Sequence, residues 1–347
     1  MRRAVSGLVC LLGAFASAGC TLYTSCPTAT NTTQASGGSG AVDTETPPPK
    51  GEWFNATGNL AGMDSECGNL AFVSSDPNQD RLIAGVAMRG LWSSVDGATS
   101  WKAIGAEGAA ITNRTSAIVY DPETPGRFWE SGLYNAGRVY ETDDDGDTFT
   151  QLGDVSGVDL VSIDFSDPAR SVLLAGGHEA AQALYRSGNG GKTWASIGSK
   201  LPDGTNCTYP HVIDAETYLV GCGGYGGGVS GIYRSTDSGK TWAMASTLGG
   251  TSAPLETADG TLYWVGSDGD LARSVDQGVT WQEASPAGAL RSITPLELPD
   301  GRIAALTKDY VVASSDYGAH WTRVSAALPY QDSSGLAYST QLLAFFV

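Results

Sequence analysis

From about residue 50 the chain alternates short apolar runs with clusters of turn formers. Leu82-Ile-Ala-Gly and Leu173-Leu-Ala-Gly are runs of strand length, each following a polar turn. Gly335-Leu-Ala-Tyr-Ser-Thr and Leu342-Leu-Ala-Phe-Phe-Val347 continue the pattern at the C-terminal end. It predicts buried strands joined by tight turns. Two segments depart from it. Leu8 to Phe15 is an apolar run behind Arg2 and Arg3, of signal-peptide rather than membrane-span length. Residues 21 to about 50 are rich in Thr, Ser, Gly and Pro and carry almost no large apolar side chain. Such a stretch cannot offset the entropy of ordering, so residues 20–50 are expected to be a disordered tether.

Composition narrows the fold class. The chain has 347 residues, with 46 Gly, 9 Trp and 14 Tyr, and only 16% are charged. Gly and aromatics in that proportion favour many turns and short strands over long helices. The formal net charge of −17 repels phosphate backbones and argues against nucleic acid as a partner.

One turn signature recurs six times. It reads Ser94-Val-Asp96-Gly-Ala-Thr-Ser100-Trp101, Thr142-Asp-Asp144-Asp-Gly146-Asp-Thr148-Phe149, Ser187-Gly-Asn189-Gly-Gly191-Lys-Thr193-Trp194, Ser235-Thr-Asp237-Ser-Gly239-Lys-Thr241-Trp242, Ser274-Val-Asp276-Gln-Gly278-Val-Thr280-Trp281 and Ser314-Ser-Asp316-Tyr-Gly318-Ala-His320-Trp321. The pattern, Ser-x-Asp-x-Gly-x-Thr-Trp, resembles the Asp box of the BNR-repeat β-propellers, which include sialidases, sortilin, two-propeller xyloglucanases and photosystem II assembly factors. Its chemistry is structural. The Ser and Asp side chains can bond to their own turn, Gly supplies a positive φ, and the aromatic ring packs between neighbouring elements.

The aromatic ends stand at 101, 149, 194, 242, 281 and 321, a mean spacing of 44. Residues 51–347 hold nearly seven such periods. The expectation is a single all-β propeller over 51–347, of seven blades of about four antiparallel strands, with six as the alternative. Trp53-Phe54 and the two C-terminal runs should close the ring in a blade without its own box. That blade looks one strand short.

A second landmark precedes each box: Asp76-Pro77, Asp121-Pro122, Asp167-Pro168, Asp214-Ala215, Asp259-Gly260 and Asp300-Gly301. Placed between the first two strands of each meander, it shares one regular face with the boxes. The opposite face then carries the irregular loops, where binding sites usually lie on a rigid scaffold. Spacing makes the loops between second and third strands longest in blades two, three and four. That wall offers Tyr134, Asn135, Arg138, His178, Glu179 and Tyr225. The loops leading into each blade add Arg114, Tyr209, His211 and Arg291, and the short loops add Arg89, Asp268, Asp270 and Asp309. Aromatics mixed with Arg and carboxylates suit a sugar or a peptide.

No catalytic set of the family stands out. The sialidase Arg-Ile-Pro is missing, and Arg186, Arg234 and Arg273 sit directly before a box and belong to the scaffold. His178 beside Glu179 could form a general-base pair, but adjacent strand residues point to opposite faces. Gly223 to Gly228 lacks the Lys-Ser/Thr of a phosphate loop. No cofactor or metal is expected, since neither Cys nor His is clustered at metal-ligand spacing.

Ser17-Ala18-Gly19-Cys20 resembles the bacterial lipobox. The resemblance implies a signal peptide over 1–19, lipidation of Cys20, and a place in the bacterial envelope. Thr21 in place of Asp points to the outer membrane. Cys207 and Cys222 flank a hairpin turning near Ala215 and should lie across from each other as a disulfide. Cys26 and Cys67 form a second possible pair. The function expected is non-catalytic binding or assembly, with an envelope protein or glycan as partner. A divergent glycoside hydrolase using loop carboxylates is the alternative.

Overall fold

A computed structural model describes residues 51–347, except 62, 64–69, 106–110, 136, 224–228, 287, 330–332 and 334, together with the backbone of four short strands further N-terminal. The chain is a β-propeller, and the described residues contain no α-helix. Six blades are continuous four-stranded antiparallel meanders, spanning Leu70–Ile104, Arg114–Gln151, Val158–Ser196, Tyr209–Ser246, Leu255–Ser285 and Leu296–Arg323. They are numbered one to six in that order. A further four-stranded sheet takes two strands from each end of the chain, in the order Ala337–Ser339, Ala344–Phe346, Tyr23–Pro27 and Gly51–Asn55. The expected seven units, with six as the alternative, thus resolve into six continuous blades and one composite sheet.

The composite sheet supplies the strand that sequence could not place. Tyr23–Pro27 comes from the stretch read as a tether, and Val42–Asp43 from the same stretch pairs in parallel with Trp321–Thr322 at the outer edge of blade 6. The rest of residues 20–50 lies outside the described residues, as does any pairing of Cys26 with Cys67.

The second strand of every blade is buried along its whole length, which is why Leu82–Val86 and Leu173–Gly177 read as unbroken apolar runs. Successive residues face opposite neighbours. Phe128 packs with Ile83 and Leu91 of blade 1, while Trp129 packs with Val161 and Leu173 of blade 3. Each such buried side chain contributes about 2–3 kcal/mol.

The recurring turn works as its residue types dictate. Ser94 Oγ donates to Asp96 Oδ1 at 2.8 Å and accepts from the Ala98 amide at 2.9 Å. Asp96 in turn accepts from the Ser100 amide and hydroxyl at 2.9 and 2.6 Å. The same bonds recur in the other five turns, with Asn189 and His320 as local substitutes. The hydroxyl bonds hold the Asp96 and Asp237 carboxyls down at about 2. The terminal indole does more than pack. Trp194 Nε1 donates to Leu152 O at 2.9 Å and Trp242 Nε1 to Ile197 O at 3.2 Å, each reaching the preceding blade. Trp53 Nε1 ties the composite sheet to blade 6 through Ala326 O at 3.1 Å, and Trp101 Nε1 reaches Ala56 O at 3.2 Å.

Around the axis, side chains of the innermost strands link neighbours. Ser74 and Tyr120 hydroxyls are 2.6 Å apart, Ser116 Oγ donates to Val158 O at 3.0 Å, and the Val212 amide donates to Ser162 Oγ at 3.0 Å. A central channel of about 960 Å³ runs inside this girdle, lined from all six blades and the composite sheet.

Cys207 and Cys222 are joined as a disulfide 15 residues apart, just beyond the register pair Tyr209 and Gly221. Closing a loop of that length constrains the unfolded chain by about 3 kcal/mol. The Cys207→Ser/Cys222→Ser variant should therefore unfold at lower denaturant, with a loss of about that size in chemical denaturation.

One buried carboxyl lacks a counter-charge. Glu130, on the second strand of blade 2, is fully buried. Its Oε2 accepts from Asn113 Nδ2 at 3.2 Å, and its Oε1 has no hydrogen-bond partner. Burial pushes this carboxyl up to about 8, against the pull of Asn113 and Thr115. The folded state therefore holds a proton that the unfolded chain releases near pH 4.5, so stability falls as pH rises from there to about 8, by at most about 1.4 kcal/mol per pH unit. Glu130→Gln should flatten that slope in unfolding titrations and be more stable than the parent above pH 8.

Candidate functional site

The strand limits bear on the expected wall. Between second and third strands lie 87–89 in blade 1, 134–138 in blade 2, 178–183 in blade 3, 223–230 in blade 4, 266–270 in blade 5 and 307–310 in blade 6. The loop lengthens from blade 1 to blade 4 and shortens again. Tyr225 lies outside the described residues.

Over blades 2 and 3, four of the sequence candidates come together around His178. Its Nδ1 lies 3.0 Å from Asp159 Oδ1, and its Nε2 lies 3.1 Å from the Tyr134 hydroxyl. Glu179 Oε1 is 3.7 Å from the same Nε2. The rings of Tyr134 and His178 meet edge to face at 5.2 Å. Arg114, at the start of blade 2, acts on Asp159 through its charge. The order is phenol, imidazole, carboxylate, with one face of the phenol in solvent: Tyr134 is 48% exposed.

Local backbone explains how these side chains meet. Tyr134, Asn135 and Glu179 all have positive φ, at 56°, 40° and 48°. Left-handed residues other than Gly are uncommon and concentrate where a site over-determines the backbone. The register of blade 3 shifts between Val158 and Leu160, placing Asp159 on a bulge. A bulge re-aims a side chain. Here the carboxyl is turned toward His178, while the residue also borders the channel beside Tyr209. The adjacency argument against His178 and Glu179 does not apply, because both lie beyond the end of the strand at Gly177.

Burial raises the Asp159 carboxyl above its ordinary value; Glu179 adds to the rise, and His178 and Arg114 oppose it. Burial likewise raises the Tyr209 phenol, with Asp159 adding to the effect.

The remaining candidates stand apart. Arg138 Nη1 donates to Asp154 O at 3.0 Å on the wall itself. Asp268 and Arg291 line a separate hollow of about 400 Å³ between blades 5 and 6, where Arg291 Nη1 donates to Ser333 O at 3.1 Å. Arg89 sits in the tight turn of blade 1, its carbonyl accepting from Trp92 Nε1 at 3.0 Å. His211 faces Glu256 of blade 5 at 3.2 Å. Asp270 is scaffold, since its Oδ2 accepts from the Gly249 amide at 2.9 Å. Asp145, in the acidic run of blade 2, is held by Gln79 at 2.6 Å and Arg81 at 3.4 Å.

Asp159 is not among the residues that the sequence singles out. The repeat itself could have found it. Residues about one period apart become neighbours across blades, as Tyr134 and His178 do at a separation of 44. Arg114 and Asp159 stand 45 residues apart, close to the same period.

No protein-family model and no curated protein matches the chain. Solved structures match it at low identity. The extracellular domain of a putative one-component system from B. thetaiotaomicron is 13% identical over 82% of this chain and 39% of its own, with a TM-score of 0.58. The GH74 xyloglucanase of Xanthomonas campestris is 19% identical over 75% and 45%, with a TM-score of 0.49. YCF48 bound to D1 peptide is 18% identical over 65% and 71%, with a TM-score of 0.45. The chain spans less than half the length of the first two. At 13% identity the likeness to the first is one of fold alone.

The charges around Asp159 give a direct check. In carboxyl-detected NMR titrations, Asp159 should titrate above an ordinary aspartate. Glu179→Gln should move its midpoint down, and Arg114→Gln should move it up.

Proposed function

We propose that this chain is a bacterial envelope lipoprotein, anchored through Cys20 at the outer membrane, whose BNR-type propeller binds a protein or glycan without chemistry of its own. The six recurring turns, read as Asp boxes, support the family. The lipobox-like Ser17-Ala18-Gly19-Cys20 supports the anchor. The observation that carries the binding site is the Tyr134, His178 and Asp159 cluster on the irregular face, aimed by strained backbone and open to solvent on its tyrosine side. Tyrosine is a frequent anchor in recognition, offering area and a hydroxyl at small entropic cost. Fixed donors and acceptors around it suit a sugar or a peptide backbone.

A second reading has one observation behind it. Two carboxylates, Asp159 and Glu179, flank His178, and one is desolvated. Paired carboxyls in different environments are what glycoside hydrolysis uses.

The deciding experiment is affinity capture of the tagged full-length lipoprotein from detergent-solubilised membranes, read by mass spectrometry, beside a glycosidase panel. A stoichiometric partner or glycan lost with Tyr134→Ala or His178→Gln, with no turnover, is the expected result. Turnover abolished by Asp159→Asn would replace it with the hydrolase. Recovery of Cys20 without acyl chains would remove the anchor and leave the site to be judged on its own.

A further inference from the structure

The recurring turn makes its own hydrogen bonds with the side chains of its first, third and seventh residues and buries its fifth, leaving the second, fourth and sixth positions to face outward. What stands there differs around the ring. In blades 2 to 4 these positions hold Asp143, Asp145, Asp147, Lys192 and Lys240 among small residues. In blades 5, 6 and 1 they include Val275, Val279, Tyr317 and Val95, and the neighbouring turn of the composite sheet adds Leu342 and Leu343. These six are between 38% and 76% exposed. Only four other large hydrophobics among the described residues are as open, namely Phe54, Tyr134, Val229 and Met244, and none of those belongs to the recurring turns.

Turn geometry does not ask for these residues. Valine favours strands, and β-branched side chains are poor turn formers. Tyr317 stands at the turn's fourth position, where φ is positive in every turn, at 63°, and Leu343 has a φ of 51°. The blades are consecutive around the ring, and blade 1 meets the composite sheet here: a Cβ on Gly97 would lie 3.1 Å from Leu342 Cδ1. The side chains therefore form an arc on the regular face, opposite His178. Exposed apolar side chains gathered on one part of a surface and set among polar groups mark an interaction site.

The rim says what fits. Asp96, Asp276 and Asp316 stand between the apolar tips, and hydrogen bonds within their turns keep all three carboxyls below the usual carboxylate range. Lys102 is exposed just past the blade 1 turn, while the other cations close by are engaged, His320 with Asp316 among them. Arg273 lies over the Tyr317 ring at 4.4 Å, and Arg302 pairs with Asp300 at 2.8 Å. A second copy, carrying the same charge of −17, would be repelled, and so would an anionic lipid surface. We propose that this arc docks a basic amphipathic polypeptide segment, its aliphatic side chains on the valines and leucines and its cations on the turn carboxylates.

The test uses the full-length protein and two synthetic 14-residue probes, one alternating Leu with Lys and one alternating Leu with Glu, followed by fluorescence anisotropy. The Leu–Lys probe should bind at least tenfold more tightly than the Leu–Glu probe, and its binding should weaken with salt without vanishing. Val95→Ser/Val275→Ser/Leu343→Ser should weaken it at least tenfold at an unchanged unfolding midpoint, while Tyr134→Phe and His178→Gln leave it unaltered. Single Val95→Ser, expected to give a smaller loss, stands in if the triple variant does not fold. Equal binding of both probes, binding untouched by the arc variants, or loss of binding through self-association of the protein would each overturn the proposal.

Discussion

Closure of the ring is the constraint on which every other contact depends. A blade packs both of its faces, so a gap would expose two apolar sheet faces at once. The composite sheet fills that gap with strands from both chain ends. Its Phe345 and Val347 pack toward blade 6 beside Leu306 and Val311, and its Phe346 and Ala344 pack toward blade 1 beside Leu82 and Ala84. Trp53 and Trp101 add indole bonds at the same junctions. Each blade is thus positioned by its neighbours rather than by its own stability, as repeat architectures generally are. The indole donors, the hydroxyl girdle around the axis and the interdigitated apolar faces are three forms of one nearest-neighbour contact.

The same periodicity decides what was legible in the sequence. The recurring turn is local: Ser94, Asp96 and Ser100 bond within seven residues, so its hydrogen bonds could be read from residue types alone. The fully buried second strands were legible for a similar reason, as short apolar runs. The pairing of Cys207 with Cys222 followed from arithmetic within one hairpin. The strand at Tyr23–Pro27 was not legible, because it is fixed between Gly51–Asn55 and the remote Ala344–Phe346 and its composition is that of a linker.

The site on the irregular face was half visible. Tyr134, His178, Glu179 and Arg114 could be named as loop residues of the right chemistry. Their geometry depends on left-handed backbone at Tyr134 and Glu179 and on the bulge at Asp159, and neither leaves a mark in residue type. Glycine announces a positive φ; tyrosine and glutamate do not. Candidates such as Asp270 and Arg138 had suitable chemistry but were already occupied by backbone partners. Glu130 shows the opposite case, since a glutamate within a strand suggests solvent, and only the packed interface with blade 1 makes it neutral.

The composite sheet also governs how the molecule can be made. Its strands Tyr23–Pro27 and Ala344–Phe346 lie side by side although more than 300 residues separate them along the chain. Blades 1 to 6 can form in order as the polypeptide emerges, but the N-terminal pair Tyr23–Pro27 and Gly51–Asn55 must wait for its other partner until Ala344–Phe346 has been delivered. Closing so long a loop comes late and slowly. Until that pairing forms, the facing sides of blades 1 and 6 lack their neighbour, and transiently exposed apolar sheet faces are where incompletely folded chains aggregate.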